Sequence, residues 1–134
     1  MELAHFDDLI AAARAQPLPQ RLLMVFVSAE LPADANEAER QAFAEGCGGT
    51  LTPLTCVDKA AGELVSFAAL KDEAAQFLPG WDLVFAAAAN EQANAPLPQA
   101  AIDAALQRMI AAIEGGNVGQ FVAFDRSGQA VAIG

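Results

Sequence analysis

Residues 118–133 read VGQFVAFDRSGQAVAI, in which the segment Asp125–Gly128 separates two short apolar runs. Aspartate favours the first position of a β-turn and glycine the last, so this stretch predicts a β-hairpin that closes the chain. A related segment, Asp58–Gly62, reads DKAAG and is one residue longer. We therefore expect a first hairpin there, with residues 63–66 as its return strand.

The two turn segments belong to a wider internal similarity. An offset of 61 residues pairs Phe6 with Phe67 and Leu22 with Leu83 without a gap, and an offset of 67 then aligns the two turns. This similarity predicts two related halves, residues 1–67 and 68–134, each with the order α-β-α-β-β. Together they form one α+β domain, residues 1–134, in which a mixed sheet is faced by helices.

Hydrophobic periodicity supplies the individual elements of this fold. The segments 21–27, 51–57 and 81–87 predict strands, and the first is continuously apolar from Leu22 to Val27, as in a strand covered on both faces. Pro53 inside the second run indicates an edge strand or a bulge. Helical spacing and stop signals predict four helices, at about residues 6–13, 34–45, 68–78 and 98–114.

The charge balance bears on partners. Seventeen acidic and seven basic residues give a net charge of −10, and the cations are scattered singly. Such a chain has no basic patch with which to displace counterions, so we expect no nucleic-acid partner. No apolar run approaches the roughly 20 residues of a membrane span, and the N-terminus lacks a signal-peptide pattern, so we expect a cytoplasmic protein without membrane contact.

Five short segments resemble a small family of proteobacterial proteins of about this length, and the likeness spans essentially the whole chain. The segments are 19–23, 29–32, 56–59, 66–70 and 124–128. Some members carry the label "ribonucleotide reductase subunit alpha". That enzyme needs a large barrel, a radical-bearing cysteine and a redox cysteine pair, whereas this chain has two cysteines and no tyrosine. The resemblance therefore implies a fold but no chemistry.

Cys47, in the loop Gly46–Gly49, is the candidate catalytic residue. Glycines let backbone amides converge on a thiolate, which would then be a nucleophile or a redox sensor. The loop follows a helix C-terminus, however, whose dipole disfavours a thiolate, and the chain has a single histidine, His5. We favour a loop that merely ends the helix, and keep a thiol enzyme or a small-ligand site at this loop as alternatives.

The other candidates have structural interpretations. Cys56 fits a small core residue, and His5 fits a surface or capping residue before the first helix. The acidic groups fit pairing with the dipole in a first helical turn and a solvated helix face, and we favour both over metal binding. They are Asp7, Asp8, Glu37, Glu39 and Glu45. The sequence contains none of the common nucleotide, zinc or hydrolase motifs, so we expect no cofactor and a non-catalytic role through protein–protein contact.

The closing strand suggests a mode of assembly. Residues 129–133 carry no charge, whereas natural sheet edges usually carry one to prevent pairing with other chains. Pro53 is expected to blunt the opposite edge. The sequence therefore predicts a homodimer through the C-terminal hairpin.

Overall fold

Helices and strands alternate along the chain. The computed structural model describes residues 4–30, 36–44, 50–78, 80–91, 97–119 and 121–131. Within them lie the helices α1 (Phe6–Arg14), α2 (Glu37–Ala44), α3 (Phe67–Ala74) and α4 (Gln99–Glu114). The strands are β1 (Gln20–Glu30), β2 (Thr50–Ala60), β3 (Leu83–Asn90), β4 (Val122–Phe124) and β5 (Ala130–Val131), and a 3₁₀ turn at Ala61–Glu63 follows β2. This is an α+β architecture, as the sequence predicts.

The five strands form one sheet in the order β2-β1-β3-β4-β5. Every neighbouring pair is antiparallel, so the prediction of a mixed sheet is wrong. The reason lies in the connections. The chain leaves β1, passes through α2 and returns in β2 beside it, and β3, α4 and β4 repeat this path. An antiparallel neighbour accepts a connection of any length, so the helices sit within long β-β connections instead of crossing between parallel strands.

One face of the sheet is covered by α1 and α3. The residues of α1 that the sequence places on one stripe are all buried there, and they pack with the even-numbered side chains of β1. Aromatic rings tie the layer together: the ring centroids of Phe6 and Phe67 lie 5.4 Å apart, and those of Phe6 and Phe124 lie 5.0 Å apart. Trp81 packs edge-on against Phe26 at 5.0 Å.

The opposite face is covered by α4, which packs across β1 and β2. The odd-numbered side chains of β1 meet the apolar stripe of this helix, so β1 is buried on both faces, as its sequence predicts. The helix ends at Gly115 and Gly116, where Gly116 has a φ of +80°. The core on this side contains Leu23, Val25, Val27, Phe85, Ile102, Leu106, Met109, Ile113, Val118 and Ala123.

The similarity between the halves stays a prediction. Phe6 and Phe67 do occupy the same core, but Leu22 faces α1 and α3 whereas Leu83 faces α4. Side chains alternate between faces along a strand, so an offset of 61 moves a residue to the other face in this register. The ungapped alignment is therefore wrong across β1 and β3.

The predicted hairpin at Asp58–Gly62 is absent from the structure. Strand β2 continues to Ala60, and residues 64–66 form no strand but lead directly into α3. Gly62 lacks the positive φ that glycine supplies in such a turn. Arg14 instead holds the segment against α1, because its Nε donates to the carbonyl of Ala61 at 3.0 Å and its Nη2 to the carbonyl of Leu64.

The closing hairpin is present and has an additional partner. Gly128, with a φ of +87°, donates to the carbonyl of Asp125 at 3.0 Å and closes the turn between β4 and β5. On the outer side of β5, Ala130 donates to the carbonyl of Ala4, and Phe6 donates to the carbonyl of Gly128, each at 2.8 Å. The N-terminal segment thus pairs with this edge, where the sequence predicts pairing with a second copy of the chain.

The helix α2 is polar, as predicted. Its described side chains, those of Glu37, Ala38, Arg40 and Gln41, are exposed. Asp34, at which the sequence predicts this helix to begin, lies outside the described residues. None of the helices described here is both long and apolar enough to cross a lipid bilayer.

Candidate functional site

A groove lies where the C-terminal half of α4 meets the outer strand β2. It is a cavity of about 430 Å³, lined on the strand side by residues 52–56 and on the helix side by Ile110 and Glu114. Leu54, Cys56 and Ile110 supply its apolar surface, and two threonine hydroxyl groups lie beside them. Glu114 is the one charged residue among those that line it.

The groove owes its shape to an irregularity in β2. Phe26 pairs with Thr55 but Val27 pairs with Pro53, so Leu54 has no partner on β1. A bulge of this kind bends the edge strand and redirects a side chain. Leu54 is 40% exposed although it is a large apolar residue. Pro53 therefore marks both an edge strand and a bulge, as the sequence indicates.

No strand among the described residues pairs with the outer edge of β2. In the β1–β3 ladder the odd-numbered residues of β1 face β3, as shown by the 2.8 Å hydrogen bond from Glu91 N–H to the carbonyl of Pro19. The even-numbered residues of β1 therefore bond to Thr55, Val57 and Lys59 in β2. It follows that the peptide groups of Cys56 and Asp58 point away from the sheet.

Ile110 and Glu114, the helix side of the groove, belong to a flank of α4 that carries two carboxylates. Asp103, Gln107, Ile110 and Glu114 follow spacings of four, three and four, which place them on one flank of α4. Of these, Ile110 is half-buried and the other three are exposed. The sole cation of α4, Arg108, lies on the opposite flank.

The structure describes Cys56 but not Cys47. Cys56 is a half-buried free thiol that packs at the margin of the α4-side core and also lines the groove. Cys47 and the loop Gly46–Gly49 lie outside the described residues, so the thiol enzyme and the small-ligand site at this loop stay predictions. A Cys47 thiol that reacts at pH 6 far faster than a model thiol would support the enzyme.

A buried ion cluster lies at the far end of β2. Arg21 Nη1 donates to Asp58 Oδ2 at 2.8 Å, and Arg21 Nε donates to Glu91 Oε2 at 3.1 Å. Glu91 is only 6% exposed and also accepts a 2.7 Å hydrogen bond from the N–H of Leu97. The cluster joins three strands and fixes the start of the connection that leads into α4.

This cluster shifts the pKa values of Glu91 and Arg21. The N–H of Leu97 lowers the pKa of the Glu91 carboxyl, Arg21 lowers it further, and together they outweigh the effect of burial. The hydrogen bond to Glu91 raises the pKa of Arg21 above its ordinary value. Both groups are therefore charged at neutral pH, and the cluster is a satisfied structural ion network.

His5 is a helix cap, one of the two roles that the sequence left open. Its Nδ1 accepts from the N–H of Asp7 at 3.0 Å, and Asp8 accepts from the N–H of His5 at 3.0 Å, which completes a capping box. Its Nε2 lies 3.1 Å from the carbonyl of Ser127, to which it donates. The histidine therefore joins α1 to the closing turn and is far from both the groove and Cys56 along the sheet.

Two of the acidic candidates lie where dipole pairing predicts. Asp7 and Asp8 occupy the first turn of α1, and Asp7 Oδ1 also accepts from the N–H of Phe67 at 2.8 Å. In the part of the chain that the structure describes, no three histidine, cysteine or acidic side chains stand close enough to hold a metal ion. Glu39 and Glu45 have no described side chains.

Sequence reasoning missed both the groove and the ion cluster. The sequence signal for the groove was Pro53. It indicated an irregular edge strand but did not show that the bulge would expose the side chain of Leu54. Arg21 and Glu91 are 70 residues apart, and no local pattern joins them.

In comparisons with known proteins, no family model, no curated protein and no solved structure matches this chain.

Proposed function

We propose that this chain is a non-catalytic cytoplasmic protein that acts by binding another protein in the groove between β2 and α4. The observation that carries the proposal is Leu54, a large apolar side chain that a bulge holds 40% exposed beside an apolar cavity. The free peptide groups of β2 lie along the same rim. An extended partner segment can bond to such an edge while its alternate side chains enter the cavity.

The energetics favour a binding role for this surface. Leaving Leu54 half-exposed forgoes part of the roughly 1.5–3 kcal/mol that its burial would contribute. Bulges at sheet edges are also common next to functional sites. A partner that covers Leu54 and Ile110 would recover this apolar stabilisation and would satisfy the outward peptide groups of Cys56 and Asp58. The cytoplasmic assignment is supported by Cys56, which is a free thiol.

We further propose a homodimer through the C-terminal hairpin and membership of a protein family. A homodimer through the C-terminal hairpin requires the segment Ala4–Phe6 to leave β5, because this segment already pairs with residues 128–130. Val131→Lys should shift such a dimer toward monomer in sedimentation experiments, and a wild-type chain that is monomeric at high micromolar concentration would contradict it. We also propose that the chain belongs to the proteobacterial family that its sequence resembles.

Site-specific photo-crosslinking tests the binding role. The photoreactive amino acid p-benzoylphenylalanine replaces Leu54 in one variant and Val65 in a matched control, in cells that make this protein. Val65 is 78% exposed and lies before α3, away from the groove. We expect a discrete adduct with one other protein at position 54 and none at position 65. The absence of an adduct at position 54, or the same adducts at both positions, would contradict the proposal.

A further inference from the structure

We infer that the groove takes an extended, basic segment of its partner, in which two lysine or arginine residues flank an apolar residue. This inference rests on the proposed function and adds the chemistry of the partner. It comes from three features of the described residues: the apolar cavity, the free edge of β2, and the acidic flank of α4.

The first step concerns the backbone of the partner. The outward peptide groups of Cys56 and Asp58 are spaced as in any antiparallel edge, so a segment that pairs with them must be extended. The bulge at Leu54 and the missing N–H of Pro53 end the regular edge on one side. The pairing is therefore confined to the part of β2 between Thr55 and Ala60. A helical partner would leave these peptide groups unpaired.

The second step concerns the central side chain of the partner. Side chains of an extended segment alternate, so every second one points toward the α4 side of the sheet. The surface there is formed by Leu54, Cys56 and Ile110, and a cavity of about 430 Å³ has room for one aliphatic or aromatic side chain. An apolar residue at this position would be buried against apolar atoms, which is the largest favourable contribution available.

The third step concerns charge. Asp103 and Glu114 lie eleven residues apart on the same flank of α4, which corresponds to about 16 Å along the helix. Four residues of an extended strand span about 13 Å, and lysine and arginine side chains are long enough to cover the rest. Basic residues two positions before and two positions after the apolar residue would therefore meet the two carboxylates.

The charge of the whole chain selects the same partner. The net charge of −10 favours a basic segment over a second copy of this chain as the occupant of the groove. Arg108 does not compensate, because it lies on the other flank of α4. The complementary order is basic-x-apolar-x-basic, with all three side chains on one face of the strand.

Selection from a random peptide library displayed on phage tests this inference with the full chain as bait. We expect the selected peptides to share the basic-x-apolar-x-basic order. Glu114→Lys should weaken their binding about tenfold, because it replaces an attraction by a repulsion. Leu54→Lys should weaken it by at least tenfold. The controls are Glu63→Lys, which makes the same change of charge outside the groove, and Val65→Lys, and both should leave affinity within about twofold.

The outcomes separate the inference from the proposed function. Selected peptides that lose affinity with Leu54→Lys but not with Glu114→Lys would overturn the basic partner and leave groove binding intact. Selected peptides that are indifferent to both substitutions, or the failure to enrich any sequence, would overturn both. Equal losses with Glu63→Lys and Glu114→Lys would show that only the total charge matters and would also overturn the inference.

Discussion

The segments 58–62 and 125–128 share an aspartate, a cation and a closing glycine, yet only the second forms a turn. In the second, Asp125 Oδ1 accepts from the N–H groups of Ser127 and Gln129 at 2.9 and 3.0 Å. In the first, Asp58 points along the sheet to Arg21 instead. A local motif forms a hairpin here only where its aspartate bonds within the motif and its glycine has a positive φ.

This difference decides how each edge of the sheet ends. The turn at 125–128 creates β5, whose outer side pairs with Ala4–Phe6, so that edge is closed by the chain itself. Because no turn forms at 58–62, no return strand pairs with the outer side of β2, and β2 remains the outer strand of the sheet that the structure describes. The groove beside Leu54 lies at this open edge. The missing hairpin is therefore the structural origin of the candidate binding site.

The largest effect on stability is expected at Gly128, and the matched substitution at Gly62 is its comparison. A Cβ on Gly128 would lie 2.5 Å from His5 Nε2 and 2.9 Å from Phe67 Cδ2, and its φ of +87° is unfavourable for alanine. Gly128→Ala should lower the free energy of unfolding by about 3 kcal/mol. Gly62→Ala meets open space and should change it by no more than about 1 kcal/mol, in the stabilising direction. Urea denaturation of both variants measures the contrast, and equal losses would refute it.

The ion cluster that engages Asp58 should give the next largest effect. Glu91→Gln should cost about 2 kcal/mol at neutral pH, because a buried charge-assisted pair with Arg21 is lost. The folded pKa of Glu91 lies below its ordinary value of 4.5, so its stabilisation is fully present above that value and is lost as the pH falls through the folded pKa. The difference between wild type and variant should therefore shrink in acid. A difference that is constant with pH would contradict this role.

The two aspartates allow a matched comparison. Burial raises the pKa of the Asp125 carboxyl, but hydrogen bonds from Ser127 and Gln129 lower it by more, so the pKa lies below its ordinary value. Asp125→Ala removes these bonds from the turn and should cost about 2 kcal/mol. Asp58→Ala leaves Arg21 paired with Glu91 and should cost about 1 kcal/mol. Thermal unfolding at neutral pH compares them, and a larger loss for Asp58→Ala would reverse our ranking.

His5 tests whether the closed edge depends on its cap. His5→Ala removes the cap of α1 and the bond to Ser127 and should cost about 1 kcal/mol. His5→Asn supplies an amide oxygen as the cap acceptor in place of Nδ1 and should recover about half of this loss. If the asparagine variant is no more stable than the alanine variant, capping is not what the histidine contributes.

The smallest effect on folding is expected at the open edge. Leu54→Lys keeps an aliphatic stem over the buried part of this 40% exposed side chain and places its charge in solvent, so the free energy of unfolding should change by less than about 0.5 kcal/mol. This result matters because loss of binding in the same variant can then be assigned to the groove. A loss of several kcal/mol would instead make Leu54 a core residue.

The sequence predicts the elements better than their pairing. The stripe of α1, the doubly buried β1 and the irregular edge at Pro53 were predictable because each depends on neighbouring residues. The first hairpin was mispredicted because the conformation of this segment depends on Arg14. This residue is 47 positions from Ala61, whose carbonyl it binds. The closed edge of β5 was missed for the same reason, since its partner Ala4 is at the other end of the chain.

The candidate site was predictable only in part. Cys47 was predicted as a candidate because a cysteine flanked by glycines is a recognisable sequence pattern. The groove corresponds to no such pattern. Its lining residues come from a bulge in β2 and one flank of α4, and their proximity follows from the way α4 crosses the sheet. A stripe such as 103, 107, 110 and 114 is visible in sequence, but only the structure shows that it borders the open edge.

Amide hydrogen exchange, measured residue by residue in the native chain, tests most directly the central claim that β2 is the open edge and β5 the closed one. We predict that the amides of Phe6 and Ala130 are protected, because they donate to the carbonyls of Gly128 and Ala4. The outward amides of Cys56 and Asp58 should exchange far faster than the inward amide of Val57 between them. Protection of Cys56 and Asp58 equal to that of Val57, or rapid exchange at Ala130, would contradict the account.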